Sequence, residues 1–204
     1  MRHNRLTSKP VLAAFDFDGT LTYRDSFTLF LKTELGFARY SAGLRRLSIP
    51  TFKHLTGFRT RDQLKEDLIR HFLTGFSVAE LVDRSDYFCS KIWPRLMRPN
   101  ALKEVEHQLQ VGATVTLCSA SPEIVLRPFA KRLGVSLIAT RLEEHDGVLT
   151  GGLQGKNCRQ AEKVARLAEV HGDLSLLHLR VWGDTAGDKQ MLEAAQERYY
   201  RWFH

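Results

Sequence analysis

Three short apolar runs in this chain end alike, each delivering small polar or acidic residues where the hydrophobicity stops. Val11-Leu-Ala-Ala-Phe15 leads into Asp16, with Gly19 just beyond. Thr114-Val-Thr-Leu-Cys118 leads into Ser119-Ala-Ser-Pro-Glu123, and Leu177-His-Leu-Arg-Val-Trp182 leads into Gly183-Asp184. Short, largely apolar runs bounded by polar clusters fit strands buried within a sheet. Each is followed by a helical pattern, so the succession of strand, polar cluster and helix predicts an α/β fold with a parallel sheet. Ligands of such open sheets bind outside the carboxyl ends of the strands. All three clusters are therefore expected around one cleft.

The stretch from Ser26 to Arg98 carries no strand pattern. Phe27, Leu29, Phe30, Leu31, Leu35 and Phe37, then Leu64, Leu68, Phe72 and Leu73, recur at helical spacing with charges between. Gly43, Pro50, Gly57, Gly75, Pro94 and Pro99 read as punctuation between several short helices. The expected organisation is a catalytic core of residues 1–24 and 99–204, with an all-helical cap, residues 25–98, inserted after the first core strand.

Size and composition agree with this: 204 residues, 43% hydrophobic and 26% charged, fit a globular domain with an insertion. Met1 to Pro10 is polar and basic, and the apolar run after it is too short for a signal-peptide core. No stretch approaches the length of a membrane span, so no transmembrane segment is expected. Cys89, Cys118 and Cys158 are widely spaced and form no Cys-x-x-Cys pair. That argues against a disulfide framework or zinc site and for reduced thiols in a cytoplasmic protein. A formal charge of +7 favours anionic partners without choosing among phosphorylated metabolites, nucleic acid and an anionic lipid surface.

The polar clusters carry the chemistry. In Asp16-Phe17-Asp18-Gly19-Thr20, carboxylates at i and i+2 on extended chain point the same way and can serve one reacting centre. Asp16 suits a nucleophile toward phosphorus, and Asp18 a general acid and base. In the second cluster Pro122 and Ser121 read as the start of a helix, with Ser121 its cap, whose free N–H groups would face an anion. Ser119 adds a hydroxyl. Asp184 and Asp188 bring two more carboxylates, or else are solvated turn residues. Four acids in one cleft call for a cation, and a hard divalent ion such as magnesium suits oxygen ligands and a phosphate substrate. A lysine is needed to hold the phosphate: Lys163, near the start of the helical stretch Gln160 to Val170, is favoured over Lys156.

Together, Asp-x-Asp-Gly-Thr at Asp16 to Thr20, the strand ending in Ser119, Lys163, and Gly-Asp-x-x-x-Asp at Gly183 to Asp188 resemble the haloacid dehalogenase superfamily of phosphohydrolases. The insertion after the first motif is similar to that of the branch with a helical cap (subfamily IB, C1 cap), which contains phosphoserine phosphatase. Ser119-Ala-Ser-Pro, Asn157-Cys158 and Glu162-Lys163-Val164 resemble a bacterial subgroup that includes phosphatidylglycerophosphatase C. The resemblance implies a Rossmann-like core and a magnesium-dependent phosphomonoester phosphatase working through an aspartyl-phosphate. It implies Asp16 as nucleophile and metal ligand, and Asp18 as acid/base lending its backbone carbonyl to the metal. Ser119, Ala120 and Lys163 would hold phosphate, Asp184 would ligate the metal directly and Asp188 from an outer shell. Departures from the phosphoserine phosphatase pattern stand at Gly187, at Ala120-Ser121, and at Asp25 in place of a substrate-sensing glutamate.

Substrate choice is expected in the cap. Arg24, Lys32, Arg39, Arg45, Arg46, Lys53, Arg59 and Arg61 are interleaved with Phe27, Phe30, Phe37, Tyr40, Phe52 and Phe58. Buried aromatic residues under solvated basic ones predict a small soluble phosphate ester. A basic amphipathic surface would instead make the protein a peripheral lipid-phosphate phosphatase on an anionic membrane. A non-catalytic module binding nucleic acid leaves the aspartates without a role, and no nucleic-acid partner is expected.

Overall fold

The structure is a computed structural model describing residues 9–52 and 61–204, without the side chains of 48–52, 61 and 62. Strand β1 (Val11–Phe15) is followed by four helices, α1 (Ser26–Glu34), α2 (Phe37–Phe52), α3 (Arg61–Leu73) and α4 (Val78–Leu96). Then come α5 (Pro99–Gln110), β2 (Thr114–Pro122), α6 (Glu123–Leu133), β3 (Ser136–Thr140), β4 (Leu142–His145) and β5 (Val148–Leu153). Helix α7 (Ala161–His171), β6 (His178–Gly183), α8 (Lys189–Ala194) and β7 (Glu197–Tyr200) complete the chain.

The main sheet runs β3-β2-β1-β6-β7 with every pairing parallel. Phe15 pairs with Leu117 and with Trp182, so all three polar clusters leave the sheet at one edge. Its two faces are covered separately, as a parallel sheet requires. Phe15, Leu117 and Trp182 belong to one apolar cluster that also takes in the inserted helices, whereas Leu12, Ala14, Val181 and Leu167 belong to the other. On the first face the rings of Phe15, Trp182 and Tyr199 stack across three strands, with centroids 4.1 Å and 4.4 Å apart. This is the α/β fold expected from the sequence.

The inserted segment is helical, but its punctuation differs from expectation. Gly43 and Pro50 lie within α2, and Pro94 lies in the last turn of α4, a helix of 19 residues. Proline has no N–H to donate to the carbonyl four residues back, and α4 ends within two residues of Pro94. Gly43 marks close packing: a Cβ there would fall 2.3 Å from Phe72 Cζ on α3. Among the basic and aromatic residues, Phe27, Phe30 and Tyr40 are buried, while Phe37, Arg24, Lys32, Arg39, Arg45 and Arg46 are exposed. Lys53, Gly57, Phe58 and Arg59 lie outside the described residues, as do the side chains of Phe52 and Arg61. Among the described residues no helix is long and apolar enough to cross a membrane.

The antiparallel hairpin β4–β5 is an addition to the sequence reading. Asp146-Gly147 forms its turn, with both residues at positive φ. The hairpin attaches to the inserted helices through Gly75 N–H to Leu149 O, Leu149 N–H to Phe76 O and Val78 N–H to Gly147 O, each 2.9 Å.

Candidate active site

Asp16 is the first residue past β1 and is 6% exposed, anchored by its N–H to Trp182 O at 2.9 Å. Gly19 takes φ +85°, which turns the chain sharply beneath the site. The turn brings Thr20 Oγ1 to 3.2 Å from both Asp16 Oδ2 and Asp184 Oδ1. A Cβ on Gly19 would fall 2.3 Å from Asp184 Oδ2, so only glycine leaves that carboxylate its room.

Lys163, fully buried on the first turn of α7, has its Nζ 2.6 Å from Asp16 Oδ1 and 2.6 Å from Asp188 Oδ1. Burial works against the ammonium, but the two carboxylates outweigh it and hold Lys163 well above its ordinary pKa. Lys156 is exposed and offers its carbonyl to Arg166.

The four carboxyls differ. Burial pushes Asp16 well above the usual carboxylate range against the pull of Lys163, with Asp188 and Asp18 adding to the rise. Asp184 is raised by burial and by Asp188. Burial and neighbouring Asp25 raise Asp18, opposed by Lys65 and by hydrogen bonds from Ser121 and Ser26. Asp188 alone is lowered: Lys163 and Thr185 overcome its burial. Its Oδ1 receives Lys163 and its Oδ2 receives Thr185 Oγ1, Thr185 N–H and Asp184 N–H, leaving little room for another ligand. The cleft is thus short of positive charge, and Asp16, Asp184 and Asp188 each offer an oxygen within 4.8 Å of the others. Such a cluster of hard oxygen donors fits a divalent cation of the magnesium type.

The second cluster departs from the expected helix cap. Strand β2 continues to Pro122, with a register shift between Ser119 and Pro122, and α6 starts at Glu123 without a side-chain cap. Ser121 is therefore not a cap. Its hydroxyl donates to Asp18 Oδ2 at 2.5 Å, and its N–H reaches Ser119 Oγ at 3.1 Å. Ser26 N–H holds the other Asp18 oxygen at 2.6 Å.

Asp16, Asp18, Ser119, Ala120, Lys163 and Asp188 line one cavity of about 310 Å³, while Asp184 stands behind it against Thr20. Phe27, Leu64, Lys65 and Leu68 from α1 and α3 form part of its other wall, and Asn157 and Arg159 its rim. Sequence reasoning left Thr20, Ser121, Lys65 and Arg159 without a role at the site. Thr20 and Ser121 stood inside the motifs, whereas nothing local singles out Lys65.

The family description "haloacid dehalogenase-like hydrolase" matches residues 13–193. The chain is 43% identical to Protein CicA of Caulobacter vibrioides over 198 residues, 96% of this chain and 87% of that protein. A crystal structure of a protein with unknown function from Bordetella pertussis Tohama I matches with TM-score 0.75 and 26% identity, covering 92% of this chain and 87% of that one. A phospho-aspartyl intermediate analogue of phosphoserine phosphatase shares the fold with TM-score 0.59 at 22% identity, covering 92% and 84%. Motifs, cavity and family match agree: the chain belongs to the haloacid dehalogenase-like hydrolases.

Proposed function

We propose that the protein is a magnesium-dependent phosphomonoester phosphatase that forms an aspartyl-phosphate on Asp16. The observation that carries this reading is the pairing of two unequal carboxyls in one cavity. Asp16 is ion-paired with buried Lys163, and Asp18 is held two residues away by Ser121 and Ser26. Residues 25–98 act as the cap. The two crossings into that segment run side by side, with Tyr23 N–H on Leu96 O and Arg98 N–H on Leu21 O.

In the first step an Asp16 carboxylate oxygen attacks phosphorus as the bond to the ester oxygen breaks, and Asp18 gives its proton to that leaving oxygen. Burial raises the Asp18 carboxyl, a shift in the direction that favours its holding that proton. In the second step Asp18 takes a proton from water as the water oxygen attacks phosphorus. The phosphorus–Asp16 bond breaks, and inorganic phosphate and both carboxyls are restored. Lys163, Ser119 and the Ala120 backbone steady the phosphoryl oxygens, and Lys163 orients Asp16. Asp16, Asp184 and the Asp18 carbonyl would hold magnesium, with Asp188 behind them; when bound, the ion offsets the cleft's negative charge and polarises the phosphoryl group.

The test is magnesium-dependent phosphate release from a panel of phosphomonoesters, with Asp16→Asn as control. Turnover by the wild type that falls at least about a thousandfold in Asp16→Asn supports the reading, since an amide cannot act as the nucleophile. Undiminished turnover by folded Asp16→Asn protein would sink it.

A further inference from the structure

Two lysines line the cavity, and they are placed differently. Lys163 is committed to Asp16 and Asp188 at 2.6 Å each. Lys65, on the first turns of α3, donates to the neutral hydroxyl of Ser121 at 3.2 Å and has no ion-pair partner among the described residues. An ammonium carries three donors, so two remain for water or a ligand. Ser121 in turn donates to Asp18. That chain of two hydrogen bonds sets the Lys65 charge beside the group that protonates the leaving oxygen, and so on the alcohol side of the substrate. Phe27 and Leu68 flank it with buried apolar surface, which lowers the local dielectric and strengthens a charge–charge contact. The acid on that rim, Asp25, is engaged at the start of α1, where it accepts Thr28 N–H at 2.7 Å.

We infer that Lys65 binds a second anionic group, carboxylate or phosphate, on the alcohol half of the substrate. The preferred esters are then those whose leaving group is itself negatively charged. This rests on the phosphatase reading above and names the substrate class of the same site.

The experiment compares esters of one three-carbon scaffold: propyl phosphate, 3-phosphooxypropanoate, propane-1,3-diol bisphosphate and 3-aminopropyl phosphate. The quantity read is the ratio of kcat/KM between two esters on one preparation, which partial misfolding of a variant does not alter. The wild type should favour at least one anionic ester over propyl phosphate by about tenfold or more. The carboxylate and bisphosphate arms tell which anion is preferred. Lys65→Met should bring that ratio to about one, Lys65→Arg should keep most of it, and Lys65→Glu should favour the amino ester. A wild-type ratio near one in both arms, or a preference surviving in Lys65→Met, overturns the inference; the second result would leave Lys65 only steadying Ser121. If the wild type turns over none of these esters, the panel with Asp16→Asn decides the phosphatase reading, and calorimetric binding of the same esters decides the role of Lys65. Anion-selective binding lost in Lys65→Met upholds it, and unselective binding or none overturns it.

Discussion

The hydroxyl of Ser121 donates to Asp18 Oδ2 at 2.5 Å, while the opposite oxygen of the carboxyl receives Ser26 N–H at 2.6 Å. Asp18 is therefore gripped from both sides, once by the core strand β2 and once by the start of the inserted helices. These bonds favour its ionised form and oppose the burial that raises it.

Removing one grip has a signed consequence. In Ser121→Ala the Asp18 carboxyl should rise further, so the basic limb of kcat/KM, where the acid loses its proton, moves to higher pH. Turnover at neutral pH should fall by about tenfold, the worth of one hydrogen bond to a charged group. A pH–rate profile checks both, and a basic limb moving down would contradict the arrangement.

Lys163→Met would leave Asp16 and Asp188 buried without their shared cation. Loss of about 3 kcal/mol at neutral pH is expected from breaking a buried pair, measured by urea unfolding. The deficit should shrink as pH falls. Asp188 is depressed in the folded wild type, so its stabilising contribution is full above the unfolded value of about 3.9 and fades below it. In the variant, protonation of the unpaired acids relieves the penalty.

Gly19→Ala would force a left-handed backbone on alanine and press its Cβ toward Asp184 Oδ2. A stability loss of about 1 kcal/mol from the backbone is expected. The larger effect should be on the carboxylate: the magnesium concentration for half-maximal activity should rise by about tenfold, the low end for a disturbed ligand environment. A magnesium titration of activity reads it, with metal binding to inactive protein as a second measure.

At the sheet's edge, Glu197 accepts Tyr199 Oη at 2.6 Å, His178 Nε2 at 2.5 Å and Arg180 Nε at 3.0 Å. The Tyr199 and His178 bonds, with help from Arg180, lower Glu197 to about 2, and its carboxylate in turn lifts Tyr199 to about 12. A depressed acid stabilises above its unfolded value, near 4.3, and loses that contribution as pH falls toward 2. The side chain is about a third exposed, so the effect is about 1 kcal/mol after screening. Glu197→Gln should lower stability at pH 6 and match the wild type near pH 2, as followed by denaturant midpoints.

Much of the site was legible because each motif sits where a strand stops. Asp16, Ser119 and Asp184 each follow an apolar run, and the parallel register then carries them to one edge without further information. The sequence favoured Lys163 over Lys156 because the first falls in the opening turn of a helical stretch and the second in a loop. Ser121 was misread for a physical reason: a serine before proline obeys a local capping rule, but tertiary pairing with β3 extends β2 through Pro122 and swings the hydroxyl toward Asp18. The β4–β5 hairpin had a local signal in Asp146-Gly147, set between a polar strand, Leu-Glu-Glu-His, and one interrupted by Gly151-Gly152. Lys65 had none. It lies dozens of residues from every motif, and only the packing of α3 over the cavity brings it near them.

The hairpin changes how the molecule divides mechanically. Three backbone hydrogen bonds join β5 and its turn to the connection between α3 and α4. Chain order assigns the hairpin to the core, yet those bonds weld it to the helices. A displacement that lifts the helices from the cavity must therefore carry the hairpin along or break the weld. If it is carried, the bending falls on Arg141 and Gln154, whose own backbone bond of 3.0 Å closes the hairpin's base. The moving body would then hang from two paired crossings, one at residues 21–23 and 96–98 and one here, and two separated supports restrict rotation to a single axis.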